Sequence, residues 1–344
     1  MAIPITPDTL RSSEVESVLR LARASELYTA PQLDLIEARC AGFAGGQRAD
    51  DYEVIVSRGG ETVWGFLIFR KRSLTEAAFE IGQIGGRDLS QIADLLATLR
   101  QETLKRNGKL IFAELPDQST WQPILDTLPT AGYHLAGQTP HLYAPGSGTR
   151  HYALYLKHAE PSQSPALAPA PPTDSASHPV AAAALSVVPT TREQRFAILD
   201  MTANTPVFVE EDRGVVQELL DLYLNRGPAE GYRFLSCLAG EAVAAYACYG
   251  PRPSTVGAYD LYWICTDARR RQQGAGRRLM AAIEAQVLEW GGYLVLLETS
   301  DTPTFMPTRK FYEALGYTRI VHIEQFYSDT DGLVVYAKYL RPVA

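Results

Sequence analysis

Tyr259-Asp260-Leu261-Tyr262-Trp263-Ile264-Cys265-Thr266 runs directly into Asp267-Ala268-Arg269-Arg270-Arg271-Gln272-Gln273-Gly274-Ala275-Gly276, and this stretch decides the fold. Its first part is apolar and aromatic, as a largely buried strand is. Beyond Gly276, Leu279, Ile283, Val287 and Trp290 recur at helical spacing until Gly291-Gly292 ends the run. A strand feeding a glycine-containing turn at a helix N-terminus is the architecture of an anion cradle. Glycines let backbone N–H groups approach a phosphate closely, and the helix end adds about half a positive charge. Arg269, Arg270, Arg271 and Arg277 reinforce that field. The spacing Arg271-x-x-Gly274-x-Gly276 is neither Gly-x-x-x-x-Gly-Lys-Ser/Thr nor Gly-x-Gly-x-x-Gly. Alone, it also fits a solvated basic turn before an ordinary helix.

Residues downstream of Gly292 make the stretch specific. A strand pattern over 293–299 precedes a helix over 307–315 that Gly316 stops, within Lys310-Phe311-Tyr312-Glu313-Ala314-Leu315-Gly316-Tyr317. The two segments resemble, in the same order, the pyrophosphate loop and the Phe-Tyr-x-x-x-Gly-Phe/Tyr helix of the GNAT superfamily of acyl-CoA-dependent N-acyltransferases. The resemblance covers about residues 185–340. It implies that Arg271, Gln272, Gln273, Gly274, Ala275, Gly276 and Arg277 hold the diphosphate of acetyl-CoA, mostly through backbone N–H groups. It implies that the backbone of Ile264, Cys265 and Thr266 pairs with the pantetheine arm, and that Tyr312 protonates the leaving thiolate. Many members carry a cofactor-contacting Asn six residues before the Phe; here Phe305 stands there, so that contact is missing or replaced.

An attacking amine must be neutral, and an alkyl ammonium near pKa ~10.4 must first lose a proton, so a general base or a water relay is useful. Strand alternation puts Asp260, Tyr262, Ile264 and Thr266 on one face. Asp260 falls where some members of the superfamily carry an acidic base; it also reads as a solvent-facing carboxylate at a strand start. Glu298, ending the next strand, is the second candidate, although Glu114 at the same place in the first half argues for a structural pair. Glu210 and Glu211 could attract a cationic amine, but acids at a helix N-terminus more often complement its dipole. Tyr246, Tyr262 and Tyr327 line either an acceptor pocket or the core.

The chain has 344 residues, 46% hydrophobic and 21% charged, enough for two globular domains. A net charge of −7 argues against a nucleic-acid or anionic-membrane partner, leaving the arginine cluster to a small anion. Cys40, Cys237, Cys248 and Cys265 are scattered and read as buried thiols, and the six histidines show no ligand spacing, so no metal is expected. No basic region with an apolar run opens the sequence and no stretch reaches membrane-spanning length, so a cytoplasmic enzyme is expected.

The sequence is also internally repeated. At a spacing of 184, Arg87 matches Arg271, Leu95 matches Leu279, Glu114 matches Glu298, Gly132-Tyr133 matches Gly316-Tyr317, and Tyr143 matches Tyr327. Tyr152-Ala153 and Tyr155-Leu156 recur in the same register. The expected fold class is α/β in the mixed α+β sense, as two tandem GNAT-like domains, each a mostly antiparallel sheet flanked by helices. Residues 1–158 form the first domain, 159–184 a Pro/Ala/Ser-rich linker, and 185–344 the catalytic domain. In the first domain Ser90 and Ile92 replace Gly274 and Gly276, Asp88 replaces Gln272, and Leu128 replaces Tyr312. That domain is expected to keep the fold without the cofactor chemistry. The expected reaction is transfer of an acetyl group from acetyl-CoA to a primary amine of a small molecule. A non-catalytic acyl-CoA-binding module and a protein N-acetyltransferase are the alternatives, and pairing of two chains as a homodimer is left open.

Overall fold

The structure, a computed structural model, describes residues 10–46, 51–156 and 184–343. The linker expected over 159–184 lies, Ala184 apart, outside the described residues. Along the first part run α1 (Val15–Ala24), α2 (Ala30–Ala44), β1 (Glu53–Gly59), β2 (Thr62–Lys71), β3 (Ala78–Gly86) and α3 (Leu89–Lys105). Then come β4 (Leu110–Asp117), α4 (Gln122–Thr130), β5 (His134–Ala144) and β6 (Ser147–Tyr155). After β7 (Leu185–Pro189) the same order returns as α5 (Arg195–Ala203), α6 (Glu210–Arg226), β8 (Arg233–Ala239), β9 (Ala242–Pro251), β10 (Ala258–Thr266) and α7 (Ala275–Glu289). It closes with β11 (Leu294–Ser300), α8 (Met306–Glu313), β12 (Thr318–Ser328) and β13 (Asp331–Tyr339). The fold is the mixed α/β class read from the sequence.

Strand registers repeat as the elements do. Leu110 pairs with Tyr155 across β4 and β6, and Leu294 pairs with Tyr339 across β11 and β13, both partners 184 residues on. Earlier in each half the spacing is 180: Glu53 pairs with Phe69 and Arg233 with Tyr249, with bulges at Ser57/Arg58 and Cys237/Leu238. The spacing changes after β3 and β10, which start at Ala78 and Ala258 and have nine residues each. Residues 267–270 therefore have no counterpart in the first half.

Contacts divide the chain into two compact units, one of residues 1–156, 251–260 and 287–344, the other of residues 157–250 and 261–286. In the first unit the strands lie in the order β1-β2-β3-β4-β6-β5-β12-β13-β11. β3 and β4 are parallel and pair only as far as Ile81 and Ala113, so they separate beyond those residues. The join between β5 and β12 is a single antiparallel pairing of Gly137 with Val321, and those two residues are themselves 184 apart. An element that pairs with its own repeat marks a local two-fold axis. Other contacts obey it. Val256 N–H donates to Tyr143 O at 2.6 Å, and Glu76 N–H to Tyr327 O at 2.9 Å, each pair the image of the other. Phe112 and Phe326 meet edge to face at 5.9 Å in the core beneath.

Gly137 is required at that join because a Cβ there would lie 2.2 Å from Ile320 O and 2.8 Å from Val321 Cα. Backbone cannot yield as a flexible side chain can. Gly137→Ala is expected to cost about 1–3 kcal/mol, the range for overpacking, and to lower the thermal midpoint by several degrees. An unchanged midpoint would show that the join adds nothing to stability.

The second unit has β7, β8 and β9 antiparallel, in that order. Helices α5 and α6 cover them through Ile198, Val216, Leu220, Phe234, Tyr246 and Cys248, all at most 1% exposed.

Candidate active site

In the second unit the basic loop is held at its start by Asp267. Its N–H donates to Ala244 O at 2.9 Å, and its carboxylate accepts from the Arg269 amide and guanidinium at 2.9–3.0 Å. Arg269 is thus ion-paired within the loop, its side chain 84% exposed. Gln272 and Gly274 adopt left-handed conformations, φ +63° and +87°, turning the chain into α7. A Cβ on Gly274 would meet open space, so glycine is needed there for conformation rather than room. Gly276 and Arg277 occupy the first turn of α7. Of the apolar stripe, Leu279, Ile283 and Val287 are fully buried, whereas Trp290 lies past the helix end, 44% exposed and 6.2 Å from the Tyr259 ring. A cleft of about 700 Å³ beside the loop is lined by Thr191, Glu193, Glu241, Asp267, Arg270 and Gln273, among others.

Ile264 and Thr266 are half-buried and Cys265 is buried, its Sγ 3.2 Å from Thr205 Oγ1. All four cysteines are free and buried, and burial pushes the Cys265 thiol up. Tyr246 is core, bonded to Thr202 Oγ1 at 2.6 Å. Tyr262 is half-buried against Tyr232, and Trp263 against Phe208, with ring centroids 5.3 and 5.4 Å apart. Glu210 and Glu211 stand exposed in the first turn of α6, where their charges complement the helix dipole.

In the first unit Tyr312 is 4% exposed, packed among the rings of Phe311, Tyr317 and Tyr336 at 5.4–6.1 Å. Burial pushes its phenol well above the ordinary value, so it is protonated at neutral pH. Arg309 Nη1 fixes the approach to α8 by donating to Ser300 O and Thr302 O at 2.7 and 2.8 Å. Asp260 is bonded to Arg252 at 3.0 Å and only 17% exposed; burial outweighs the guanidinium and raises its carboxyl. Glu298 is 38% exposed and 3.3 Å from Arg72. The sequence reading missed both arginines. Arg72 and Thr75 recur as Arg252 and Thr255 at a spacing of 180, a signal that was available.

The equivalent places in the first half are filled by the chain itself. Asp88 caps α3, accepting from the Ser90 and Gln91 amides at 2.9 and 3.2 Å, where α7 follows a glycine turn. Tyr28 donates its hydroxyl to Ile84 O at 2.6 Å and accepts from Ile84 N–H at 3.0 Å. Ile84 is the counterpart of Ile264, 180 residues on, and Tyr28 is the counterpart of Phe208, which has no hydroxyl. Trp121, counterpart of Phe305, packs edge to face on Tyr28 at 5.4 Å. Ile92 and Leu128 are core residues, at most 2% exposed.

The profile of the acetyltransferase (GNAT) family matches residues 196–317. Among solved structures, a protein assigned to the GNAT family from Desulfovibrio desulfuricans is 34% identical over 46% of this chain and 100% of its own, with a TM-score of 0.45. The ribosomal-protein-S18-alanine N-acetyltransferase of Escherichia coli is 16% identical over 47% of this chain and 97% of its own, at 0.39. The aminoglycoside 6′-N-acetyltransferase of Enterococcus faecium is 16% identical over 46% and 98%, at 0.37. No curated protein matches. With a family profile that spans the loop and α8, and a 34% identical relative matched over its whole length, the chain belongs to the GNAT family of acetyltransferases.

Proposed function

We propose that the protein transfers the acetyl group of acetyl-CoA to a primary amine of a small molecule by direct attack. The observation that carries this reading is the contrast between the halves. The second keeps the Gln272–Gly274 turn into α7 and the phenol of Tyr312, while the first has an Asp88 cap, a Tyr28 plug and Leu128 in the equivalent places. The first half is read as closed to cofactor. In the second, residues 271–277 would take the diphosphate, and the backbone of Ile264, Cys265 and Thr266 the pantetheine amides.

The amine nitrogen bonds to the acetyl carbon as the C–S bond breaks. A carboxylate collects the amine proton and Tyr312 donates to the departing sulfur. Of the two candidate bases, geometry favours Glu298: it is the more exposed, 38% against 17%, and Asp260 is bonded to Arg252 at 3.0 Å. The acceptor is read as a small amine, as for the aminoglycoside enzyme among the similar structures, with a protein amine as the second class. Four buried free thiols suit a reducing cytoplasm.

The test is release of free coenzyme A thiol from acetyl-CoA across a panel of small primary amines and N-terminal peptides. Turnover with small amines is the expected result; turnover with peptides alone would move the acceptor to proteins, and none at all would sink the reading. A second expected result concerns Phe208. Phe208→Tyr copies the Tyr28 plug, so its hydroxyl would compete for the Ile264 backbone and weaken acetyl-CoA binding about tenfold, the worth of one or two hydrogen bonds. Unchanged affinity in calorimetry would remove Ile264 from the cofactor site.

A further inference from the structure

Across the local two-fold, the two halves exchange arginines. Arg72 donates from Nη1 to Glu80 at 3.0 Å and from Nη2 to Glu298 at 3.3 and 3.5 Å. Arg252 donates from Nη1 to Asp260 at 3.0 Å and from Nη2 to Glu114 at 2.8 Å. Each arginine thus binds one carboxylate of its own half and one of the other. The same turn delivers both. Arg72 N–H donates to Ala78 O and Thr75 Oγ1 to Arg72 O; Arg252 N–H donates to Ala258 O and Thr255 Oγ1 to Arg252 O, with all four distances 2.8–2.9 Å. Leu74 and Ser254 take matching left-handed conformations, φ +60° and +61°.

The symmetry fails at Glu114 and Glu298, and at Arg70, which binds Glu80 and has Gly250 as its counterpart. Glu114 is 19% exposed, and His151, its partner in register, stands 3.8 Å away. Glu298 is 38% exposed, its contact with Arg72 is longer, and its partner in register is Val335. Burial disfavours the Glu114 carboxylate, yet the Arg252 guanidinium holds it below the ordinary value, so it is a fixed charge; burial pushes His151 down, which leaves that ring neutral. Glu298 faces one bonded guanidinium and keeps an open side from which to take a proton.

We propose that Arg72, a residue of the closed half, is a positioning residue for Glu298 in the transfer reaction. It rests on the reading of Glu298 as the base. Glu80 and Arg70 brace Arg72 from behind, since Arg70 also binds Glu80 at 3.1 Å, so the guanidinium presents Nη2 to both oxygens of Glu298 and limits its rotamers. A half that has lost its own cofactor chemistry would then contribute to the site of the other. The charged and titratable groups around Glu298 include Arg72, Arg252, Asp260 and His151.

The experiment compares Arg72→Gln with its mirror image, Arg252→Gln, in the full chain, measuring thermal midpoint, kcat and the KM for acetyl-CoA. Arg252→Gln strands the more buried Glu114 and Asp260, while Glu80 keeps Arg70 after Arg72→Gln, so a purely structural role would cost Arg252→Gln at least as much and would not lower kcat for Arg72→Gln alone. The expected result is a fall in kcat of about tenfold for Arg72→Gln, the scale of lost positioning, with KM for acetyl-CoA nearly unchanged. Arg72→Lys should recover part of it, and in a Glu298→Gln background Arg72→Gln should lower kcat no further. Arg252→Gln should keep its kcat. Parent kcat in Arg72→Gln overturns the inference while leaving the acetyltransferase reading intact. A loss confined to Arg252→Gln also overturns it, by moving the base to Asp260. A parent protein that acetylates no amine removes both.

Discussion

Tyr312→Phe is expected to lower kcat by about 100-fold, within the range for general acid–base catalysis, while leaving the KM for acetyl-CoA nearly unchanged. The substitution removes one oxygen from a ring that three aromatic neighbours hold at 5.4–6.1 Å, so packing is preserved. What is lost is a donor. Attack by the amine leaves negative charge on sulfur, and a thiol near pKa ~8.5 departs far more readily if that charge meets a donor. Burial keeps the Tyr312 phenol protonated, which makes it a dependable hydrogen-bond donor but a reluctant source of a whole proton. Most of the effect should therefore come from stabilising the developing thiolate. Donors of that kind are worth about 10²–10³ in turnover. Leu128 at the equivalent place could supply nothing of the sort. Steady-state kinetics checks this, and an unchanged kcat would take Tyr312 out of the mechanism.

Much of the fold was legible because both of its periodicities are local. Helical stripes, strand patterns and glycine stops placed β10, α7, β11 and α8 to within two residues, and the 184-residue spacing was visible in Arg87/Arg271 and Gly132/Gly316. The change of spacing to 180 ahead of the loop was not read, although Tyr52/Tyr232, Gly60/Gly240 and Arg72/Arg252 carry it. Its consequence is physical: residues 267–270, which open the loop of the second half, have no counterpart in the first. Trp290 illustrates a different limit. Its spacing continues the buried stripe, but the helix ends at Glu289, so periodicity no longer decides where the ring points. The role of Arg72 and Arg252 could not be seen in either half alone, because each salt bridge crosses between segments 138 or 226 residues apart. Likewise Tyr28 reads as a helix-end aromatic until Ile84, 56 residues on, is found bonded to its hydroxyl.

Gly276→Ile should weaken acetyl-CoA binding by about 100-fold, roughly the loss of two hydrogen bonds to a charged group at ~1.5 kcal/mol each. The substitution copies Ile92, which matches Gly276 in the 184-residue register, is the fourth residue of α3 where Gly276 is the second of α7, and is 2% exposed. The thermal midpoint of the variant separates loss of binding from loss of structure. The first turn of α7 follows a backbone that Gln272 and Gly274 turn through left-handed conformations, which aims successive N–H groups outward. An anion at those groups gains from the helix dipole as well. A β-branched side chain on the second residue of the helix adds bulk beside those N–H groups and is stiff about its first torsion. The first half shows the alternative solution, in which the Asp88 carboxylate caps the helix end and no external anion is needed. Titration calorimetry of parent and variant with acetyl-CoA decides the matter. One site per parent chain and none in the variant is the expected pair of results. Two sites in the parent would reopen the first half as a binding domain, and equal affinity in both proteins would move the diphosphate away from residues 271–277.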